Sequence, residues 1–348
     1  PNVFHYYLIQ PPAFPSGWAI SRRRKFKAMK IGLAMGVVGI SLPDYREIAV
    51  SAESAGAYAL CVGEAANESI ASATYFGTIT TKPKIITAIT TWVRPPVNTA
   101  LGATTVDAIT DGRFELGLGT MPDHWNRNHY QIDPAKPVVR MREYVEAIRQ
   151  SWLAHSGESA NFKGEFYEVS GYQRLVKPLR NRIPIHLAAT IPGMDKLAGE
   201  IADGVIVNWL HTYEWLHQSL EPALAAGSEL TGNKCQRSAM VRVLVEPNPV
   251  KAREILRPSF DMYRNVPYFH EITASAGFQT TPTSDLPDEL VDAMTVHGSV
   301  EQVTETIAKR YGGWADWLEV IPPGATSGDV LKSSYEGIFE LLPKLNNL

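Results

Sequence analysis

Short apolar runs alternate with longer stretches in which apolar residues recur every three or four positions, the pattern of repeated strand and helix units. The apolar runs predict strands near 30–36, 58–62, 84–89, 113–117, 184–189, 204–208, 239–245 and 316–321. Helical periodicity predicts helices near 43–56, 68–80, 96–109, 138–153, 192–202, 212–230, 299–312 and 328–342. Eight of each in alternation is the count of a (β/α)8 TIM barrel, an α/β fold that holds its ligands at the carboxyl ends of the strands. Two excursions interrupt the alternation. Within 157–182, FKGEFYEVSGY alternates like a hairpin, and 246–297 carries Pro, charged residues and short helical pieces. Loops this long in a compact domain usually shape a binding site.

Residues 29–348 are therefore expected to form one barrel domain with two insertions, preceded by an extension over 1–28 that is irregular and rich in Pro and aromatics. The basic run Arg22, Arg23 and Arg24 ahead of the apolar stretch 31–42 has the outline of a twin-arginine export signal. Against it, Gly32, Gly36 and Gly39 break the stretch, no Ala-x-Ala site follows, and IGLAMG reads as a first buried strand. A cytoplasmic location is the expectation.

The 348 residues include 33 basic and 36 acidic side chains, a net charge of -3, so nothing draws the whole chain to nucleic acid or an anionic membrane. A small-molecule substrate is the expected partner. No run reaches the ~20 apolar residues of a membrane helix. Cys61 and Cys235 lie outside any CxxC or Cys/His metal spacing and read as free thiols, which suits a reducing cytosol. His155, His211, His217 and His270 likewise lack metal spacing.

Three constellations could carry chemistry. The first is GLGTMPDHW, 117–125, after the fourth strand, where Gly117 and Gly119 allow backbone N–H groups close to a ligand and Asp123 and His124 add a titratable pair. A plain strand-to-helix turn is the alternative. The second is PIHLAATIPGMDKLAGEIADGVIVN, 184–208, in which Ala189, Thr190 and Ile191 precede a proline suited to a first helical turn. Their amides would lie at the positive end of the helix dipole, a phosphate site that needs no lysine, unless the turn only packs helix on barrel. Asp203-Gly204 reads as a turn into the next strand. The third is a set at the strand ends: Glu64, then Thr90, Thr91 and Trp92, then Asn208 and Trp209. A carboxylate facing an apolar barrel mouth would have a raised pKa and could trade protons, and an aromatic there could wall a planar ring. Arg140 and the Arg142-Glu143 pair read as helix-surface ion pairs.

Taken together, RPPVNTALGATTVDAITDGRFELGLGT, RMREYVEAIR and IPIHLAATIPGMDKLAGEIADGVIVN resemble the bacterial-luciferase-like superfamily, from about residue 30 to 345. VGEA at 62–65 and the LAGEIADG helix are most similar to its branch of oxidoreductases that use the deazaflavin coenzyme F420. The resemblance implies a TIM barrel with long insertions, often a homodimer, with a non-proline cis peptide in a bulge after the third strand that backs the cofactor ring. It places that cis peptide at Ala88–Ile89, with Thr90 and Thr91 bordering the ring and Gly119 and Thr120 on the neighbouring turn. The phosphate would lie on Ala189, Thr190, Ile191, Pro192 and Gly193, with Ile191 in place of a usual glycine.

Glu64 stands where related dehydrogenases have Asp, Ala65 where they have a catalytic His, and Pro122 where the sugar-phosphate enzymes have a catalytic Glu. The implied activity is hydride transfer between the deazaflavin C5 and a small, largely apolar substrate. Glu64 is then the candidate for positioning or proton transfer and for contact with the cofactor, His124 is the second catalytic candidate, and Trp92, Trp125 and Trp209 line the substrate space. The alternatives are an FMN-dependent monooxygenase of the same superfamily and a non-catalytic flavin-binding paralogue.

Overall fold

The computed structural model of the protein describes residues 28–36, 39–64, 67–324 and 327–347. Its parallel strands are β1 (Lys30–Met35), β2 (Ala59–Val62), β3 (Lys84–Thr87), β4 (Phe114–Gly119), β5 (Ile185–Ala189), β6 (Gly204–Val207), β7 (Gln236–Val245) and β8 (Trp317–Ile321). Each pairs with its neighbour, and β8 joins both β7 and β1, so the sheet closes into a barrel. Around it lie α1 (Tyr45–Ser54), α2 (Ser69–Ile79), α3 (Pro96–Ile109), α4 (Pro137–Leu153), α5 (Pro192–Ile201), α6 (Glu221–Thr231), α7 (Val300–Tyr311) and α8 (Gly328–Asn346). The expected (β/α)8 barrel is present, because strands covered on both faces read as plain apolar runs.

The excursions also take the expected form. Ala160–Lys163 and Glu168–Tyr172 pair as an antiparallel hairpin, and the later insertion holds helices Pro249–Leu256, Pro267–Ser275 and Asp288–Met294. A short strand, Thr295–Gly298, extends the sheet from the far half of β7, where the sequence has no apolar run to announce it. Residues 1–27, with Arg22, Arg23 and Arg24, lie outside the described residues, as do 37–38 of the apolar stretch. Among the described residues no helix is long and apolar enough to cross a membrane.

The inner face of the barrel is set by the two-residue period of its strands. Ala59, Cys61, Ile86, Ile206 and Trp317 pack together there with Met240. Toward the amino end, Glu115 is paired with Lys84 and with His186 Nε2 at 2.7 Å. Burial pushes the Glu115 carboxyl up, but the hydrogen bonds from His186 and Lys84 outweigh it and hold it below the ordinary range. Glu319, one layer on, has no such partner, and burial raises it to about 8. Cys61 and Cys235 are free thiols.

Candidate active site

β3 ends at Thr87, and the peptide Ala88–Ile89 just beyond it is cis, where the resemblance puts it. The chain then re-enters the sheet for two residues, Thr90 and Thr91, paired with Leu118 and Gly119 of β4. The glycines of GLG make room for this bulge. A Cβ on Gly117 would lie 1.8 Å from the Thr87 carbonyl oxygen, and one on Gly119 would lie 2.4 Å from Ile89 Cδ1. The Gly117 N–H donates to Thr87 Oγ1 at 2.8 Å, and the hydroxyl donates back to the Gly117 carbonyl at 2.9 Å. That amide is therefore committed to the protein, and the expectation that it reaches a ligand is corrected: Gly117 is glycine because two strands approach too closely for a side chain.

Glu64, at the end of β2, is tied to three elements at once. Its carboxylate accepts from Arg94 Nη1 at 2.9 Å and Nη2 at 2.5 Å, from Ser69 Oγ at 2.9 Å and from the Thr91 N–H at 3.2 Å. Ser69 also hydrogen-bonds Thr90 Oγ1 at 2.8 Å, and Arg94 makes a second ion pair with Glu68. The Glu64 and Arg94 side chains are 8% and 17% exposed, so water competes little for the pair. The picture of a lone carboxylate in an apolar mouth is thus replaced by a clamp from β2 to the bulge, α2 and the lead-in to α3. Ala65 lies outside the described residues.

The neighbouring wall is held by a residue that sequence reasoning missed. Asn126, fully buried on the short helix Asp123–His129, accepts from Trp92 Nε1 at 2.9 Å. Its amide donates to the carbonyls of Thr120, Met121 and Pro122 at 2.7, 3.2 and 3.2 Å. Met121 has φ +59°, a region costly for a side-chain-bearing residue, and this set of bonds holds it there. Asn126→Ala would orphan the buried indole N–H and release the turn, so a loss of about 2 kcal/mol is expected in urea unfolding.

His124 is exposed, with its ring edge-on to the half-buried Trp125 at 6.1 Å. Trp92 is 1% exposed and lies under the Arg140 guanidinium at 4.9 Å. Trp209 is 2% exposed, covered by Arg242 at 4.3 Å and by the edges of Phe260 and Tyr263. Trp92 and Trp209 thus support the mouth from behind, a correction to their expected place on its open wall. Their wide rings gain more from cover by a guanidinium than from water. Of the three tryptophans only Trp125 keeps substantial exposure.

β5 ends at Ala189, and Thr190 and Ile191 lead into α5, which Pro192 opens. Ile191 is the N-cap and makes no side-chain cap bond, so the first-turn amides, Gly193 among them, have no side-chain acceptor from that position. Asp195, in the first turn of α5, is fully buried, and neither carboxylate oxygen has a partner. Burial raises it to about 8, so at neutral pH it is protonated and does not repel an anion at the helix end.

Asp195 and Glu319 set a pH dependence. Both hold a proton in the folded state that the unfolded chain releases near pH 4, so their contribution is lost as pH rises toward about 8. His211, which burial lowers to about 4, acts only below its ordinary value of 6.5. Between pH 6.5 and 8, stability is expected to fall by at most about 1.4 kcal/mol per pH unit for each group. Urea midpoints should show a shallower slope in Asp195→Asn and in Glu319→Gln.

Other candidates resolve into structure. The Asp203 carboxylate accepts from the Ile185 N–H at 2.9 Å and pairs with Arg182 at 2.5 Å, at the start of β6. Arg142 forms its expected surface pair, with Glu200. Glu143 instead accepts from the Glu165 and Phe166 N–H groups at 2.8 Å each, closing the hairpin loop. Arg140 stacks on Trp92 and donates to the Asp133 carbonyl at 2.6 Å rather than pairing with an acid. Among the described residues no group of three or more His, Cys, Asp or Glu could hold a metal ion.

The comparisons with known proteins agree with the fold. A putative coenzyme F420-dependent oxidoreductase from Mycobacterium tuberculosis is 27% identical over 325 residues, 80% of this chain and 91% of that protein. An F420-dependent secondary alcohol dehydrogenase, solved with an F420-acetone adduct, superposes with a TM-score of 0.74 at 17% identity, covering 92% of this chain and 99% of that one. A type II Baeyer-Villiger monooxygenase from Pseudomonas putida, solved with FMN, superposes with a TM-score of 0.73 at 18% identity, covering 91% and 98%. Residues 27–316 match the luciferase-like monooxygenase family, and with that match the chain belongs to it.

Proposed function

We propose that the protein is a coenzyme F420-dependent oxidoreductase acting on a small, largely apolar organic substrate. The observation that carries this reading is the pairing, at one end of the barrel, of a bulge clamped by Glu64 with an uncapped helix start. The first is a flat backing for a ring and the second a seat for a phosphate, so the residues fit the cofactor. Bound there, the deazaflavin would supply or accept a hydride at C5.

The protein's own groups bind and orient. Ala88 and Ile89 back the ring, with Thr90 and Thr91 fully buried beneath them, a correction to their expected place at its border; Gly119 and Thr120 close the side next to it, and Ala189, Thr190, Ile191, Pro192 and Gly193 hold the phosphate. Glu64 fixes the bulge through Thr91 and Arg94, which makes it a positioning residue. His124 handles the proton at the exposed rim. Because water and buffer reach it, His124→Gln is expected to lower kcat only about tenfold, short of the ~10²–10⁴ of an enclosed acid or base, and added imidazole should restore activity.

A homodimer is the assembly that the family resemblance supports. Light scattering on the full chain tests it.

Fluorescence titration with the deazaflavin and with FMN, followed by turnover of the reduced deazaflavin with enones, aldehydes and imines, tests the assignment. Deazaflavin binding with turnover is expected. Tight FMN binding and none of the deazaflavin would establish the monooxygenase reading, and deazaflavin binding without any turnover would favour a non-catalytic paralogue.

A further inference from the structure

Arg242 is a buried cation at the mouth of the barrel with no acid to balance it. On β7 it shares the inward parity of Ser238 and Met240, and Met240 packs with the barrel interior, so Arg242 lies one layer nearer the carboxyl end. The residue is 6% exposed. Nη1 donates to the Pro322 carbonyl at 2.6 Å, the guanidinium covers Trp209 at 4.3 Å, and Nε is buried without a hydrogen-bond partner.

No ion pair involves Arg242 among the described residues, and the residues outside them, 1–27, 37–38, 65–66, 325–326 and 348, include no Asp or Glu. Glu319 is the acid on the adjoining strand, but burial keeps it protonated at neutral pH and its side-chain partner is Cys61. Burial lowers Arg242 itself only to about 10, so it stays charged. An unpaired buried cation is strongly unfavourable, and an anion bound beside it would relieve that cost. By strand parity this single cation sits inside the barrel toward the carboxyl ends of the strands, the end at which such barrels hold their substrates.

We infer that Arg242 is a substrate-binding residue, and that the substrate is an organic acid whose carboxylate docks on the guanidinium while its apolar body lies toward the cofactor ring. One guanidinium balances one negative charge and presents a planar fork that matches a carboxylate, whereas a phosphate dianion would call for a second cation. Gly324 packs closely beside the fork, since a Cβ there would lie 3.2 Å from Nη1, so a side chain at that position would crowd it. The inference rests on the proposed function for the identity of the site.

The test is calorimetric titration of the full chain, with and without deazaflavin, using benzoate, its neutral counterpart benzamide, and phenyl phosphate. Benzoate is expected to bind at least tenfold more tightly than benzamide. Arg242→Gln should bring the ratio near one, and Arg242→Lys should retain part of it. If Arg242→Gln does not fold, Gly324→Ala crowds the fork and should lower the ratio instead. A ratio near one in the unaltered protein, a ratio unchanged by Arg242→Gln, or tighter binding of phenyl phosphate than benzoate would overturn the inference. The two readings fail separately: absent deazaflavin binding sinks the proposed function and leaves the benzoate ratio standing, and a flat ratio does the reverse.

Discussion

Gly117→Ala is expected to cost about 4 kcal/mol or more, at the upper end of single substitutions, and to leave little folded protein at 37 °C. The added methyl would lie 1.8 Å from the Thr87 carbonyl oxygen and 3.0 Å from its carbon, and these are backbone atoms that cannot rotate away. Relief requires β3 and β4 to separate by more than an ångström, which breaks the reciprocal bonds of Thr87 to Gly117 and carries the bulge with it. Gly119→Ala is the control. Its Cβ would meet the tip of a flexible side chain, Ile89 Cδ1, at 2.4 Å, so repacking should hold the loss to about 1–2 kcal/mol. Urea unfolding of both variants checks the contrast, and equal losses would show that the strand separation at Gly117 is not the constraint described.

Glu64→Ala is expected to destabilise by about 2–4 kcal/mol, because Arg94 would remain largely buried with only the more exposed Glu68 as partner. The larger consequence is local. Without the carboxylate the Thr91 N–H loses its acceptor and Ser69 loses one of its two, so the bulge loosens and deazaflavin affinity should fall by at least tenfold. Arg94→Ala should act in the same direction, and the double variant should lose clearly less stability than the sum of the two. Additive losses with unchanged cofactor affinity would mean that the clamp does not hold the site.

The barrel was legible because its strands are short apolar runs spaced by amphipathic helices, and Asp203-Gly204 and the hairpin followed from turn chemistry and alternation. The last two residues of β4, Leu118 and Gly119, were not, since glycine inside a strand reads as a turn. Thr90 and Thr91 form a separate two-residue strand, paired with the end of β4 beyond the end of β3, too short for any period to announce it. The site was legible in position but not in partnership. Glu64 and Arg94 are thirty residues apart in sequence and Trp92 and Asn126 thirty-four, distances that only the closed barrel brings together. Arg242 lay hidden because a charge within an apolar strand gives no sign of which face it takes. The resemblance supplied the place of the bulge, while the clamp that fixes it had to be read from hydrogen bonds.

The central claim is that the bulge after β3 and the turn after β5 together hold a deazaflavin. A crystal structure of the protein with coenzyme F420 tests it most directly. The account predicts the ring against residues 88–89 and the phosphate on residues 189–193, with the Glu64–Arg94 pair intact. A ring seated elsewhere in the barrel mouth, or a phosphate held away from the start of α5, would contradict it.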